Sequence, residues 1–340
     1  MIPSIEWVNN KIKMIDQTIL PHELKFLEFS DYRDLAKSIK VMNIRGAPAI
    51  GVAAAMGMAL AALEYKDLLK VDFLKKVEDA AEIIKNTRPT ASNLFWAVNR
   101  ILDIINKSVG TSLEICEEVV EEAKIMAQED ITVNKNIGKN GAELIKDGET
   151  ILTHCNAGSL ATVQYGTALA PIRSAIEQGK KVSVIADETR PRLQGARLTA
   201  YELNYDKIPV KVISDTSSGL LMKLGKIDRV IVGTDRVTSD AVFNKIGTYL
   251  VALAAKDNNI PFYVAAPTSS LSLDDTIDDV EIEQRDDSEV SCVLGKVRIV
   301  PEGVECLNYA FDITPFELVT GIITEDGVFT PRELLERYKK

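Results

Sequence analysis

The sequence predicts an α/β protein: a helical N-terminal domain followed by a doubly wound, mostly parallel-sheet, Rossmann-like C-terminal domain. Two observations carry that expectation. Up to about Asp147, apolar residues recur at the i, i+3, i+4, i+7 spacing of amphipathic helices. From Thr150 the period shortens to strand-length apolar runs, separated by segments long enough for the crossover helices that parallel strands require. The division falls after residue 133, with a hairpin and helical domain over 1–133 and the α/β domain over 134–340.

The opening stretch IEWVNNKIKMID alternates around Asn9-Asn10. Asn tolerates positive φ, so these two residues suit a two-residue hairpin turn. Helices are then predicted in SDYRDLAKSIKVM, entered through a Ser30-Asp31 cap, and in PAIGVAAAMGMALAALEY, where Pro48 takes a favoured first position. Three more follow in VDFLKKVEDAAEIIKN, SNLFWAVNRILDIIN and LEICEEVVEEAKIMAQED. Strands are predicted to start near Thr150 (TILTHC), Val182 (VSVIAD), Val210 (VKVISD), Arg229 (RVIVGTD) and Phe262 (FYVAAP). The acidic stretch LDDTIDDVEIEQRDDSEV reads as a solvated loop.

Composition excludes several classes of function. With 340 residues, 46% hydrophobic and 26% charged, the chain can build the core of a soluble globular protein. Forty basic against fifty acidic residues leave a charge of −10, which argues against a nucleic-acid partner. Four scattered cysteines without a C-x-x-C pair read as reduced thiols of a cytoplasmic protein. The uncharged run from Gly46 to Leu63 is Ala/Gly-rich and short of the ~20 strongly apolar residues that span a bilayer, so a buried helix is expected and no membrane partner. Neither G-x-G-x-x-G after a strand nor G-x-x-x-x-G-K-[ST] occurs, and only His22 and His154 are present, so no multi-histidine zinc site is expected.

What remains is position. In ILTHCNAGSLAT, His154 and Cys155 are neighbours on a strand and point to opposite faces, so they cannot act as base and nucleophile. Cys155 lies at the carboxyl end of a strand, where doubly wound sheets bind ligands, and Gly158-Ser159 reads as leading into a helix whose N-terminus would favour a thiolate. A small buried hydrophobe is the other reading of this cysteine. Asp235 falls just past the run DRVIV on the same sheet edge; it could cap a helix, or serve as a proton donor if apolar surroundings keep it protonated. Asp187, a third strand-end carboxyl, fits a cap. Arg45 and Gly46 in NIRGAPAIG, Arg88 in NTRPTASN, and Asn244-Lys245 in FNKIGTY each sit near a predicted helix start, and together suggest a small phosphorylated ligand.

With these residues assembled, the sequence resembles the S-methyl-5-thioribose-1-phosphate isomerases, in a larger family that includes ribose-1,5-bisphosphate isomerases and regulatory subunits of a eukaryotic translation-initiation exchange factor. The stretches that carry it are IRGAPAIG, TRPTASNLFWAV, ILTHCNAGSLAT, ADETRPRLQGARLTAYEL, GTDRV, NKIGTY and IPFYVAAPTSS. The resemblance implies an aldose-ketose isomerase of methionine salvage acting on a phosphorylated sugar, a homodimer with no metal and no organic cofactor. It implies Asp235 as proton donor and Cys155 as its catalytic partner. Arg45, Gly46, Ala47, Arg88, Gln194, Asn244 and Lys245 match the family's substrate contacts. The loop DRVTSDAVFNK is one residue shorter than the family's common D-R-I-A-A-N-G-D-x-A-N-K. Val242 and Phe243 there are apolar and read either as pocket or as core residues; with the lack of a surplus Lys-Arg cluster, this loop favours a 5-methylthio or 5-methyl group over a 5-phosphate. The alternatives are an isomerase of 5-deoxyribose 1-phosphate or ribose 1,5-bisphosphate, or a non-catalytic regulatory subunit.

Overall fold

The computed structural model describes residues 1–89 and 91–339, which form two compact units. The first unit comprises Met1–Thr132 and Ser159–Gly166; the second comprises Val133–Gly158 and Thr167–Lys340, its last residue lying outside the described range.

The first unit opens with β1 (Ile5–Val8) and β2 (Lys11–Ile15), joined through Asn9 and Asn10 at φ +51° and +57°. Both turn residues are left-handed, as a turn matching the strand twist requires. β3 (Phe26–Phe29) completes an antiparallel sheet. α1 (Tyr32–Lys40) starts at Asp31, whose carboxylate accepts from the Arg33 amide. α2 (Ala47–Tyr65) is the axis of the unit, with Ala49 to Ala62 buried throughout. Its apolar run is long enough for a membrane, but 78% of it is buried inside the fold, as a core helix is. Small residues let neighbours approach closely: a Cβ on Gly51 would stand 3.1 Å from the Asn93 carbonyl oxygen. α3 (Lys70–Lys85), α4 (Ser92–Lys107) and the first part of α5 (Ser112–Ala142) complete the unit.

Residues 159–166 belong with this first unit. Leu160, Ala161 and Val163 are buried. The Ser4 amide donates to the Val163 carbonyl at 3.0 Å, Gln17 Nε2 donates to the Leu160 carbonyl at 2.7 Å, and Asp130 accepts from the Val163 amide at 2.7 Å.

The second unit runs β4 (Thr150–Thr153), α6 (Ala170–Glu177), β5 (Ser183–Asp187), α7 (Ala200–Tyr205), β6 (Val210–Ile213), α8 (Ser218–Lys223) and β7 (Arg229–Val232). It continues with β8 (Arg236–Val237), β9 (Ala241–Lys245), α9 (Thr248–Asp257), β10 (Phe262–Ala265) and α10 (Ser288–Ser291). A ribbon of β11 (Cys292–Val293) and β12 (Val297–Arg298) follows, then β13 (Phe311–Pro315), β14 (Gly321–Thr324), β15 (Gly327–Phe329) and α11 (Pro331–Tyr338). The main sheet has the order β15-β14-β10-β7-β4-β5-β6, parallel except for the edge strand β15. The chain therefore starts in the middle at β4, runs outward through β5 and β6, and returns to the other side of β4 at β7. That reversal is the topological switch point of a doubly wound sheet.

Both sheet faces are buried, so the strands are apolar on both sides. Leu152, Val230, Val232, Val264 and Ile322 pack into one core, with Val251 of α9 and Leu334 of α11. Their alternates Ile151, Ile231, Ala265 and Ile323 join Ile172 of α6 and Leu203 of α7 in the other. Each fully buried aliphatic side chain contributes about 1.5–3 kcal/mol. A second, antiparallel sheet, β13-β9-β8, stands apart from the main one.

Candidate functional site

The two strands on either side of the reversal end in the residues that drew attention in the sequence. Beyond β4, Cys155 has φ +66°, a left-handed conformation uncommon for a residue with a side chain. Hydrogen bonds on both sides of it hold the backbone there. Its amide donates to Thr189 Oγ1 at 2.8 Å, and its carbonyl accepts from Thr199 Oγ1 at 2.7 Å. Next to it, Asn156 donates through Nδ2 to Thr199 Oγ1 and to the buried Glu202 carboxylate, which also receives Arg173 at 2.8 Å. Cys155 is half-buried and in no disulfide. The turns beyond the two strands approach closely, since a Cβ on Gly233 would meet Ala157 Cβ at 2.5 Å.

No α-helix follows Cys155 directly. Ser159–Ala161 form a short 3₁₀ turn with the first unit, and the next helix, α6, begins only at Ala170. The helix N-terminus expected to favour a thiolate is therefore not at this strand end. Lys245 stands in that neighbourhood instead: Cys155 and Asp235 each favour its charged form.

Lys245 is buried at the end of β9 and donates through Nζ to the Ala310 carbonyl at 2.7 Å, 4.3 Å from the centre of the Phe311 ring. Burial lowers its pKa, with the like charge of Arg285 acting in the same direction against the attraction of Cys155 and Asp235. Asn244 is buried beside it and donates to Thr248 Oγ1, which in turn donates to the Lys245 carbonyl. The sequence placed these two at a helix start; they instead close a strand, and α9 begins at Thr248 after Gly247. Asp312, opposite Asn244 on β13, accepts from the Gly247 and Tyr249 amides at 2.7 and 3.1 Å and so caps that helix. Burial pushes its carboxyl up to about 6.

Asp235 follows β7, its amide donating to the Phe243 carbonyl at 2.9 Å. It is exposed. The exposed carboxyl is not enclosed by apolar walls, and cationic Lys245 and Arg285 are among the groups that interact with it. Arg285 was hidden in the acidic stretch. It is half-buried, stacks over Phe311 at 5.6 Å, and is held by both oxygens of Glu283 at 3.1 and 3.2 Å. A second cation therefore does stand beside Lys245, and that stretch is more than a solvated loop. Val242 and Phe243 are packed into the protein at 0% and 3% exposure, so they do not line a pocket for the sugar's 5-end.

Gln194 is buried at the start of a five-residue π-helical stretch, Gly195–Thr199, and its Oε1 has no hydrogen-bond partner among the described residues. An orphaned buried acceptor of this kind suits a ligand contact. The same stretch ends at Thr199, the residue that holds the Cys155 carbonyl.

His154 lies just past the end of β4, not on the strand, and is fully buried. Nδ1 lies 2.9 Å from Asp187 Oδ2, and Nε2 lies 2.8 Å from the Ile246 carbonyl oxygen. Asp187 is thus a partner of His154, where the sequence suggested a helix cap. Asp215 completes a group of three within 4.8 Å, but its two oxygens accept the Thr189 and Arg190 amides at 2.7 Å each. The group is a hydrogen-bond network rather than an open ligand set.

In the first unit, Gly46 precedes α2 at φ +93°, and a Cβ there would stand 2.3 Å from the Ala161 carbonyl oxygen. Only glycine fits. Arg45 is half-buried just before it, and Ala47 is the first residue of the helix. Arg88 is half-buried in the connection between α3 and α4; its neighbour Thr90 lies outside the described residues.

Comparison with known proteins adds what geometry cannot. A model of the Initiation factor 2 subunit family matches residues 43–331. A methylthioribose-1-phosphate isomerase of Thermosipho africanus (strain TCF52B) is 54% identical over 330 residues, covering 96% of this chain and 95% of that one. The crystal structure of 5-methylthioribose 1-phosphate isomerase from Pyrococcus horikoshii OT3 matches with a TM-score of 0.95 at 44% identity, covering 100% of this chain and 96% of that one. A structure described as translation initiation factor eIF-2B, subunit delta, from A. fulgidus matches with a TM-score of 0.93 at 46% identity, with both chains fully covered.

Proposed function

The chain belongs to the Initiation factor 2 subunit family, and from that membership we propose that it is an aldose-ketose isomerase converting S-methyl-5-thioribose 1-phosphate to S-methyl-5-thioribulose 1-phosphate in methionine salvage. The observation that supports this reading is the placement of Cys155 and Asp235 just beyond β4 and β7, the neighbouring strands at the reversal, with Lys245 interacting with each of them. We further propose that the enzyme works in the cytoplasm as a homodimer, without metal or organic cofactor.

A sugar phosphorylated at C1 is locked as a ring. Asp235 gives a proton to the ring oxygen as its bond to C1 breaks, and recovers one from the C2 hydroxyl as hydrogen moves from C2 to C1. Cys155 faces these carbons. The exposed Asp235 has cationic neighbours before substrate arrives; a bound phosphate dianion takes up their charge and, as a like charge, favours the protonated carboxyl. The proposed substrate contacts are Arg45, Gly46, Ala47, Arg88, Gln194, Asn244 and Lys245, the residues that match the family's motifs.

Turnover on methylthioribose 1-phosphate tests the reading, with Asp235→Asn and Cys155→Ser as controls. General acid catalysis is typically worth 10²–10⁴-fold, so each variant is expected to lose at least ~100-fold in kcat while keeping the wild-type Tm. Turnover by either within twofold of wild type removes that residue from the mechanism. The resemblance to the A. fulgidus protein favours a second reading, a regulatory subunit of a translation factor. Absence of turnover on any pentose 1-phosphate would support it.

A further inference from the structure

Building on the isomerase reading above, we propose that His154 and Asp187 are positioning residues, a buried pair sharing one proton that ties the turn carrying Cys155 to the strand end carrying Lys245. The count of donors requires that proton. The Ile246 carbonyl can only accept, so Nε2 of His154 bears a hydrogen. Nδ1 then meets Asp187 Oδ2 either with a second hydrogen, as an imidazolium beside a carboxylate, or with a lone pair facing a protonated carboxyl. Either way the Nδ1···Oδ2 bond holds one proton beyond those of a neutral ring and an ionised acid.

The bonds span three chain segments. His154 immediately follows β4 and precedes Cys155. Asp187 ends β5, next to β4. Ile246 immediately follows Lys245. The ring rests on Gly247, where a Cβ would stand 2.8 Å from Cε1, so the contact depends on glycine there. Breaking the bridge frees the end of β9 to shift against the Cys155 turn, and misplacing a reacting group by about 1 Å can lower turnover about 100-fold.

Burial alone would drive the proton off His154, but the hydrogen bond and charge of Asp187 outweigh it, aided by the Ile246 carbonyl and by Asp215. Burial likewise raises the carboxyl of Asp187, with Asp215 and Glu188 acting in the same direction and His154 against it. Asp312 on β13 also interacts with the ring and favours its charged form. The pair therefore gives up its proton only on the alkaline side of the ordinary histidine range. A lone pair then faces a carboxylate, and the bridge opens.

The test uses the full-length enzyme with methylthioribose 1-phosphate across neutral and alkaline pH. His154→Gln is expected to lower kcat about 100-fold with KM changed little. Asp187→Asn can donate to a neutral Nδ1 and keeps the bridge without the titrating proton. It is expected to hold kcat within about threefold of wild type at neutral pH and to remove the alkaline fall in kcat. Unchanged kcat and an unchanged alkaline limb in His154→Gln would overturn the proposal. Nitrogen NMR of His154 in the wild-type protein decides the case independently of turnover or of a variant's folding. A shared or fully bound proton at Nδ1 at neutral pH is expected; a neutral ring beside an ionised carboxylate would overturn the pair. If the wild type turns over none of the pentose phosphates, the isomerase reading fails while the NMR result still stands.

Discussion

At the scale of the residue, the cluster turns on one buried amine. Lys245 interacts with both Cys155 and Asp235, and the next helix after the Cys155 turn, α6, starts only at Ala170. Lys245→Met keeps much of the volume and removes the charge. Loss of a preorganised charged donor typically lowers kcat 10²–10³-fold, and that is the loss expected here. The same variant should slow iodoacetamide alkylation at Cys155, because the thiolate is the reactive form. Mass mapping of the labelled cysteine separates this site from Cys116, whose thiol is pushed up to about 11, chiefly by burial. Wild-type alkylation kinetics in Lys245→Met would mean that the amine does not act on the thiol.

At the scale of the element, α9 depends on a carboxyl from another strand. Asp312 accepts two of the amides at its start, yet burial raises its carboxyl to about 6 against an ordinary value of 3.8. The folded protein thus keeps a proton that the unfolded chain has already released. Its contribution to stability is full below the ordinary value and is lost as pH rises through about 6. Over that window, urea midpoints of the wild type should fall relative to those of Asp312→Asn; parallel curves would sink the argument. Elements differ in how legible they were. The parallel strands were readable because both faces are buried, leaving runs such as VIV in β7 without ambiguity. Asn9-Asn10 announced its hairpin because few other residues accept positive φ. β8 and β9 went unread because their apolar residues adjoin a helix and β13, their third strand, lies far along the chain. Arg285 went unread for a similar reason: nothing local in an acidic stretch marks the one cation that turns inward. Gly158-Ser159 misled, since a small polar pair before an apolar run resembles a helix start whatever the chain does next.

At the scale of the whole molecule, substrate choice turns on a charge that is present but already engaged. Arg285 supplies the second cation that a bisphosphate would need, but both oxygens of Glu283 hold it. Methylthioribose 1-phosphate should therefore give the highest kcat/KM, with 5-deoxyribose 1-phosphate lower and measurable, since a small apolar difference is worth only ~1–3 kcal/mol. Ribose 1,5-bisphosphate should be poor. Glu283→Gln releases the guanidinium and should raise the relative kcat/KM for the bisphosphate about tenfold, one such charge-assisted hydrogen bond being worth about 1.5–3 kcal/mol. A wild-type preference for the bisphosphate would overturn this assignment of charges. The excursion of residues 159–166 carries a consequence for how the protein is made. Domains usually fold in the order in which they leave the ribosome, N-terminal first. Here the first unit is not complete when its own 132 residues have emerged, because Val163 packs into its core, Gln17 is held by the Leu160 carbonyl and Gly46 is shaped to the Ala161 carbonyl. The nascent helices must wait, partly unfilled, until β4 and the Cys155 turn have been synthesised, so the earlier unit closes only after part of the later one exists.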